Sequence, residues 1–105
     1  MVPLAIIGVI AAAAVSAVVV YFVLLHFDDI KQWFMEKVFK KSRLKKEEVA
    51  FMLNEKMSNG HYKVLTGVFN KASGTVREEM QKNEAEELDG TLENAFEEED
   101  LVVLQ

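Results

Sequence analysis

Charged residues are missing from Val2 to Phe27, and from Leu4 to Leu25 the chain is predominantly apolar over 22 positions. A helix rising about 1.5 Å per residue covers roughly 33 Å over that length, close to the roughly 30 Å hydrocarbon layer of a bilayer. The pattern predicts a single N-terminal transmembrane helix within residues 1–27. Leu, Ile, Val and Phe fill 13 of the 22 positions. Each contributes about 0.3–0.6 kcal/mol toward insertion, which outweighs Gly8, Ser16 and Tyr21. A secretory signal peptide is the first alternative, since AVSA at Ala14–Ala17 has the small residues of a cleavage site. Signal peptides, however, open on a basic region and have an apolar core of about 7–15 residues. This run has no Lys or Arg before it and continues further. A soluble helix apolar all round would need cover on every side, which a chain this short does not provide.

Small residues interrupt the apolar run at a regular interval. Gly8, Ala12 and Ser16 recur every four positions, so a helix aligns them on one stripe where another helix can approach closely. They are the candidate helix-packing residues, for a second copy or a different membrane subunit. Alanine as plain filler in a span is the alternative.

Beyond the run, Asp28 and Asp29 suit a helix start. Ile30, Trp33, Phe34, Val38 and Phe39 then make an apolar face, with lysines around it. Trp33, Phe34, Phe39, Lys37, Lys40, Lys41 and Arg43 are therefore candidate membrane-interface residues, aromatic rings in the headgroup zone beside cations that favour an anionic leaflet. A helix packing on its own domain is the alternative. A second helix is expected from Lys45 to Met57, with Val49, Met52, Leu53 and Met57 on one face and Ser58-Asn59-Gly60 as its stop. Residues 28–60 thus read as basic amphipathic juxtamembrane helices.

After Gly60 the period shortens. Tyr62 to Asn70 suits a strand partly buried on both faces, Asn70–Gly74 a hairpin connection and Thr75–Gln81 a strand with one wet face. Leu88, Leu92, Ala95 and Phe96 return to helical spacing, and LVVLQ at Leu101–Gln105 closes the chain as a short strand. Residues 61–105 are expected to form a small acidic β-β-α-β antiparallel sheet domain in strand order 2-1-3. The fold class is α+β, with the transmembrane helix and basic juxtamembrane helices ahead of that domain. Leu101, Val102, Val103 and Leu104 would form a bare sheet edge open to strand addition by a partner. Because 45 residues seldom hold together on one core, assembly is expected to add stability.

Charge sets the orientation. Residues 31–46 carry seven basic side chains against Glu36 alone, a net +6, whereas residues 61–105 carry four basic against eleven acidic side chains, a net −7. The positive-inside rule places the carboxyl side in the cytoplasm, as for a single-pass protein of a bacterial inner membrane. The acidic domain disfavours nucleic acid.

Candidate chemistry is sparse. The chain has no cysteine, hence no disulfide or thiolate metal site. His26, near the inner boundary of the span, reads as a polar residue at the interface rather than a haem ligand shared between two helices. His61 opens a strand with no nearby ligand set, and Glu97–Asp100 lacks the alternating ligands and central glycine of a calcium loop. No phosphate-binding glycine loop or nucleophile elbow occurs. No catalytic residue, metal, cofactor or small-molecule substrate is expected. The partners expected are membrane lipid and another membrane subunit or a second copy of the chain. The sequence thus points to a non-enzymatic accessory, assembly or scaffold subunit. The alternatives are a protein that binds or shapes the cytoplasmic leaflet and a small regulator or immunity protein of one membrane target.

Overall fold

Ala50, Phe51, Met52 and Leu53 are consecutive, and none is more than 3% exposed. A surface helix turns part of any such run toward water, whereas a strand covered on both faces buries all of it. The computed structural model describes residues 4–40 and 44–104, and in it this run is the middle of a strand. Along the chain lie α1 (Leu4–Ala13), a 3-10 turn (Ala14–Ser16), β1 (Val18–Leu25) and α2 (Phe27–Trp33), which continues as a π-helix (Phe34–Phe39). There follow β2 (Glu48–Lys56), β3 (Tyr62–Asn70), β4 (Thr75–Val76), β5 (Gln81–Leu88), α3 (Gly90–Ala95) and β6 (Leu101–Leu104).

The fold is α+β, built on one small mixed sheet. Its order is β1-β5-β3-β2-β6, with β4 paired to the end of β3. β2 and β3 form a hairpin in register from Glu48↔Asn70 to Lys56↔Tyr62. The turn closes where Met57 N–H donates to the His61 carbonyl at 2.9 Å, and Gly60 there takes φ +85°, a backbone state glycine adopts without steric cost. Alternation then sorts the side chains. Ala50, Met52, Val64 and Val68 face a core closed by Ile30, Phe34 and Val38 of the α2–π-helix segment and by Leu92 and Phe96. Phe51, Leu53, Leu65 and Phe69 face the opposite side, where Ile10 and Ala14 cover them. Phe51 pairs with Gly67, and its ring occupies the space a side chain there would take: a Cβ on Gly67 would stand 3.0 Å from Phe51 Cζ.

Several expectations change. The helix expected over 45–57 is β2; its apolar residues alternate between two covered faces, and Ser58-Asn59-Gly60 is a hairpin turn rather than a helix stop. Consequently β6 pairs with β2, not with β3, and the order 2-1-3 does not form. The strand expected over 75–81 is only the two residues of β4, and the long strand lies further on, in β5. The sheet is mixed rather than antiparallel, because β1 runs parallel to β5 from Val18↔Gln81 to Leu25↔Leu88.

The apolar run itself divides. α1 stops at Ala13, the turn at Ala14–Ser16 redirects the chain, and Val18–Leu25 extends along β5. Among the described residues no helix is long and apolar enough to cross a membrane. Val18, Val19 and Val20 are β-branched, stiff at χ1 and suited to a pleated strand. The helix expected after Asp28 and the helical spacing around Leu92 and Phe96 are both present, as α2 and α3.

Candidate functional site

An edge strand has one neighbour and one open row of backbone groups, so soluble proteins usually guard it with charge, proline or a bulge. β1 carries none of these. Its sequence is VVVYFVLL, and Val18, Val19, Tyr21, Val23 and Leu24 are all exposed. Val9 on α1 and Val15 in the 3-10 turn are exposed as well, Val15 to 79%. After Leu44, by contrast, Val103 is the one exposed large apolar side chain among the described residues. Met35 and Phe39 are exposed in the π-helix, but most of the exposed large apolar side chains lie on the uncharged arm of α1 and β1, which is the candidate functional site.

Two polar attachments hold the arm to the sheet. The Tyr21 hydroxyl donates to the Glu86 carboxylate on β5. At the end of β1, Asp89 serves two helices at once: Oδ1 accepts from Leu92 N–H at 2.9 Å as the N-cap of α3, and Oδ2 accepts from Phe27 N–H at 2.9 Å at the start of α2. Asp89 N–H donates to the Leu25 carbonyl at 3.0 Å, and His26 Nδ1 lies 3.7 Å from Asp89 Oδ2. Burial alone would raise the Asp89 pKa, but the Leu92 and Phe27 N–H groups and His26 outweigh it and hold the carboxyl below its ordinary value.

On the far side of the sheet, Arg77 donates to Glu48 through Nε at 2.8 Å and Nη2 at 2.7 Å. This paired guanidinium draws the Glu48 carboxyl down to about 2; burial opposes the shift and the Lys45 N–H assists it. The pair ties the segment after β4 to the start of β2. Among the described residues no group of three or more His, Cys, Asp and Glu is placed to hold a metal ion.

The residues singled out in the sequence are scattered by the fold. Gly8, Ala12 and Ser16 are all exposed, but Ser16 lies in the 3-10 turn, so a single helix stripe does not connect the three. A Cβ on Gly8 would meet nothing within 4 Å, so no part of the described chain uses that gap. Phe34 is 2% exposed and Trp33 half-buried, so the rings expected at the headgroup zone pack on the sheet instead. Phe39, Lys37 and Lys40 are exposed; Lys41 and Arg43 lie outside the described residues. In β6, Leu101 is buried, Val102 and Leu104 are half-buried and Val103 is exposed, on an edge strand whose single neighbour is β2. Sequence reasoning missed Asp89 as a double cap, although Asp-Gly-Thr-Leu ahead of an apolar helix start carries that signal. It also missed the strand character of Val18–Leu25, whose valine triplet is the available sign.

The class these features define is a small α+β protein with a mixed sheet and an uncovered apolar arm at one edge. The chain matches no protein-family model, no curated protein and no solved structure.

Proposed function

We propose that this chain is a non-enzymatic membrane-associated interaction protein, whose apolar arm is taken up by the bilayer while the sheet domain is held at the cytoplasmic face to bind a membrane-protein partner. The observation that carries this reading is the concentration of exposed apolar side chains, from Val9 to Leu24, in a segment without a single charge. In water such a surface is an aggregation hazard, whereas in hydrocarbon it is a favourable contact. In the bilayer we assign Leu4–Leu25 to one continuous helix, released from β5, because a lipid-exposed strand edge leaves backbone groups without partners and a helix does not. This release uncovers the edge of β5, where Lys82, Glu84, Glu86 and Glu87 supply the kind of charge that keeps an open edge from pairing. It also uncovers the Phe51, Leu53, Leu65 and Phe69 face that Ile10 and Ala14 cover, which becomes the apolar surface offered to the membrane-protein partner. The lysines that follow the arm fix the orientation. A leaflet-shaping role for the α2–π-helix segment is the weaker reading, since Ile30, Phe34 and Val38 are committed to the core.

The absence of native cysteine makes the test clean. Single-cysteine variants of the full chain at Val9, Val15, Val19 and Val23, expressed in a bacterial host, are expected in the carbonate-resistant membrane fraction and protected from an impermeant maleimide. A cysteine at exposed Ser73 is expected to react only after the cytoplasmic side is opened. Recovery of the chain in the high-speed supernatant, with all four arm positions reactive, would refute the proposal.

A further inference from the structure

The π-helix opens a second feature, away from the arm. Lys40 N–H donates to the Met35 carbonyl at 3.1 Å, five residues back, and such wide turns recur at functional sites. Here the wide turn leaves Met35 62% exposed and Phe39 40% exposed while Phe34, stacked on Phe39 with ring centroids 5.9 Å apart, stays buried. Between this turn and the ends of β2, β3 and β6 lies a groove of about 630 Å³, within the range of pockets that hold one small ligand. Phe27, Phe34, Met35, Phe39, Leu44 and Leu104 form its apolar wall.

The strands behind the groove have their backbones paired, Glu48 to Ala50 with Val68 to Asn70 and Ala50 with Leu104. The walls therefore offer little to a peptide or sugar, which would bury unmatched polar groups there. The rim differs in sign: Lys31, Lys46 and Lys71 stand on it, and Glu48 is the one carboxylate among the described lining residues. Glu48 is neutralised by Arg77 at 2.7 Å. Lys31 shares its charge with Asp28 at 3.7 Å, whose own side chain is 90% exposed. Lys71 N–H donates to the Glu47 carbonyl at 2.8 Å, which brings Lys71 beside the chain segment that carries Lys46.

We propose that this groove binds a single-chain fatty carboxylate, with the acyl chain along the Phe27–Phe39 wall and the carboxylate between Lys46 and Lys71. The apolar lining selects a hydrocarbon body, the cationic rim selects one anionic end, and the volume admits one chain. This binding site is separate from the arm and does not depend on the arm's destination.

Photolabelling of the full chain with a diazirine analogue of laurate, followed by peptide mapping, tests the assignment. Label is expected on Met35, Phe39 or Leu44 and is expected to be displaced by unlabelled laurate. Labelling at these positions is expected to fall by at least about tenfold in a Lys46→Glu/Lys71→Glu variant, which removes both charge-assisted contacts to the carboxylate. Both substituted positions are exposed, and unchanged circular dichroism verifies the fold of the variant. The neutral diazirine analogue of dodecanol is expected to label the variant and the parent alike. Label confined to Val9–Leu24 would overturn the proposal, as would groove labelling that ignores the charge reversal. Groove labelling by a dodecyl phosphate analogue but not by the laurate analogue would overturn it too, in favour of a phosphate-headed lipid.

Discussion

β1 and the β2–β3 hairpin are both strands rich in apolar residues, yet they meet opposite fates. In β2 and β3 nearly every apolar side chain is buried, whereas five of the eight residues of β1 are exposed large apolar ones. Hydropathy does not separate them; position in the sheet does. β2 lies between β3 and β6 and β3 between β2 and β5, with α1 over one face and the α2–π-helix segment and α3 over the other. β1 has β5 on one side and, among the described residues, no strand on the other. Apolar burial stabilises the hairpin, while β1 is held mainly by its pairing with β5, the buried Leu25 and the Asp89 cap. The fold encloses the apolar side chains of the hairpin and leaves most of those of β1 uncovered.

The largest expected effect breaks the hairpin side of that comparison. Phe51 is 1% exposed, and its ring and the Met80 side chain both border the space over Gly67. Phe51→Ala removes the ring and leaves a cavity over Gly67, at a cost of about 3–5 kcal/mol. The urea midpoint of the full chain, followed by near-ultraviolet circular dichroism, measures it. A loss below about 1 kcal/mol would mean that α1 does not close this face of the sheet.

Asp89 sits on the seam between the two regions. Asp89→Ala leaves the N–H groups of Leu92 and Phe27 without their acceptor at two helix starts, an expected loss of about 2 kcal/mol. Asp89→Asn keeps an acceptor and is expected to recover about half of it. Hydrogen exchange sharpens the reading: the amides of α2 and α3 are expected to lose protection together, while the β2–β3 pairs keep theirs.

The Arg77–Glu48 pair gives a pH-dependent effect on the order of 2 kcal/mol. The native Glu48 pKa is depressed from 4.5 to about 2, so the native state holds its charged form more tightly than the unfolded chain does. The stabilisation is fully present above the unfolded value and disappears as the pH falls from about 5 toward 2. Arg77→Met is expected to flatten this part of the stability profile. An unchanged slope would show that other carboxylates govern the acid limb.

How far the sequence revealed this architecture depends on whether local pattern and tertiary context agreed. They agreed at Tyr62–Asn70, whose two apolar parities are the two buried faces of β3. They agreed again at Ile30, Phe34 and Val38, whose helical spacing is the face that packs on the sheet. They parted at β2, because Val49, Met52, Leu53 and Met57 satisfy a helical period by coincidence while the strand period of Ala50–Leu53 is hidden in a continuous apolar run. β5 was illegible for the opposite reason. QKNEAEEL holds only Ala85 and Leu88 as apolar residues, and it becomes a strand because β3 and β1 satisfy its backbone on both edges. Asn83, buried within it, donates to the Val64 carbonyl at 2.9 Å. The arm was legible as an uncharged apolar segment. Its extension along β5 was not, since that depends on a neighbour 63 residues away, as in Val18↔Gln81.

The smallest expected folding effect falls on the arm, and it is the one that sharpens the comparison most. Val23 is 65% exposed, so Val23→Asp removes little buried area and is expected to change the stability of the sheet by no more than about 0.5 kcal/mol. The same change places a charge in the Leu4–Leu25 run, where a carboxylate opposes insertion by about 2.5–3.5 kcal/mol near the centre of a membrane helix and by less toward its end. Membrane recovery of the full chain and its urea midpoint should therefore respond unequally, the first falling several-fold while the second stays fixed. Ala85→Asp, at a fully buried site of β5, is the converse: it is expected to lower the midpoint through the sheet without adding charge to the arm. If Val23→Asp lowered the midpoint as Ala85→Asp does, β1 would be part of the core in function as well as in pairing, and the arm would not be free to leave it.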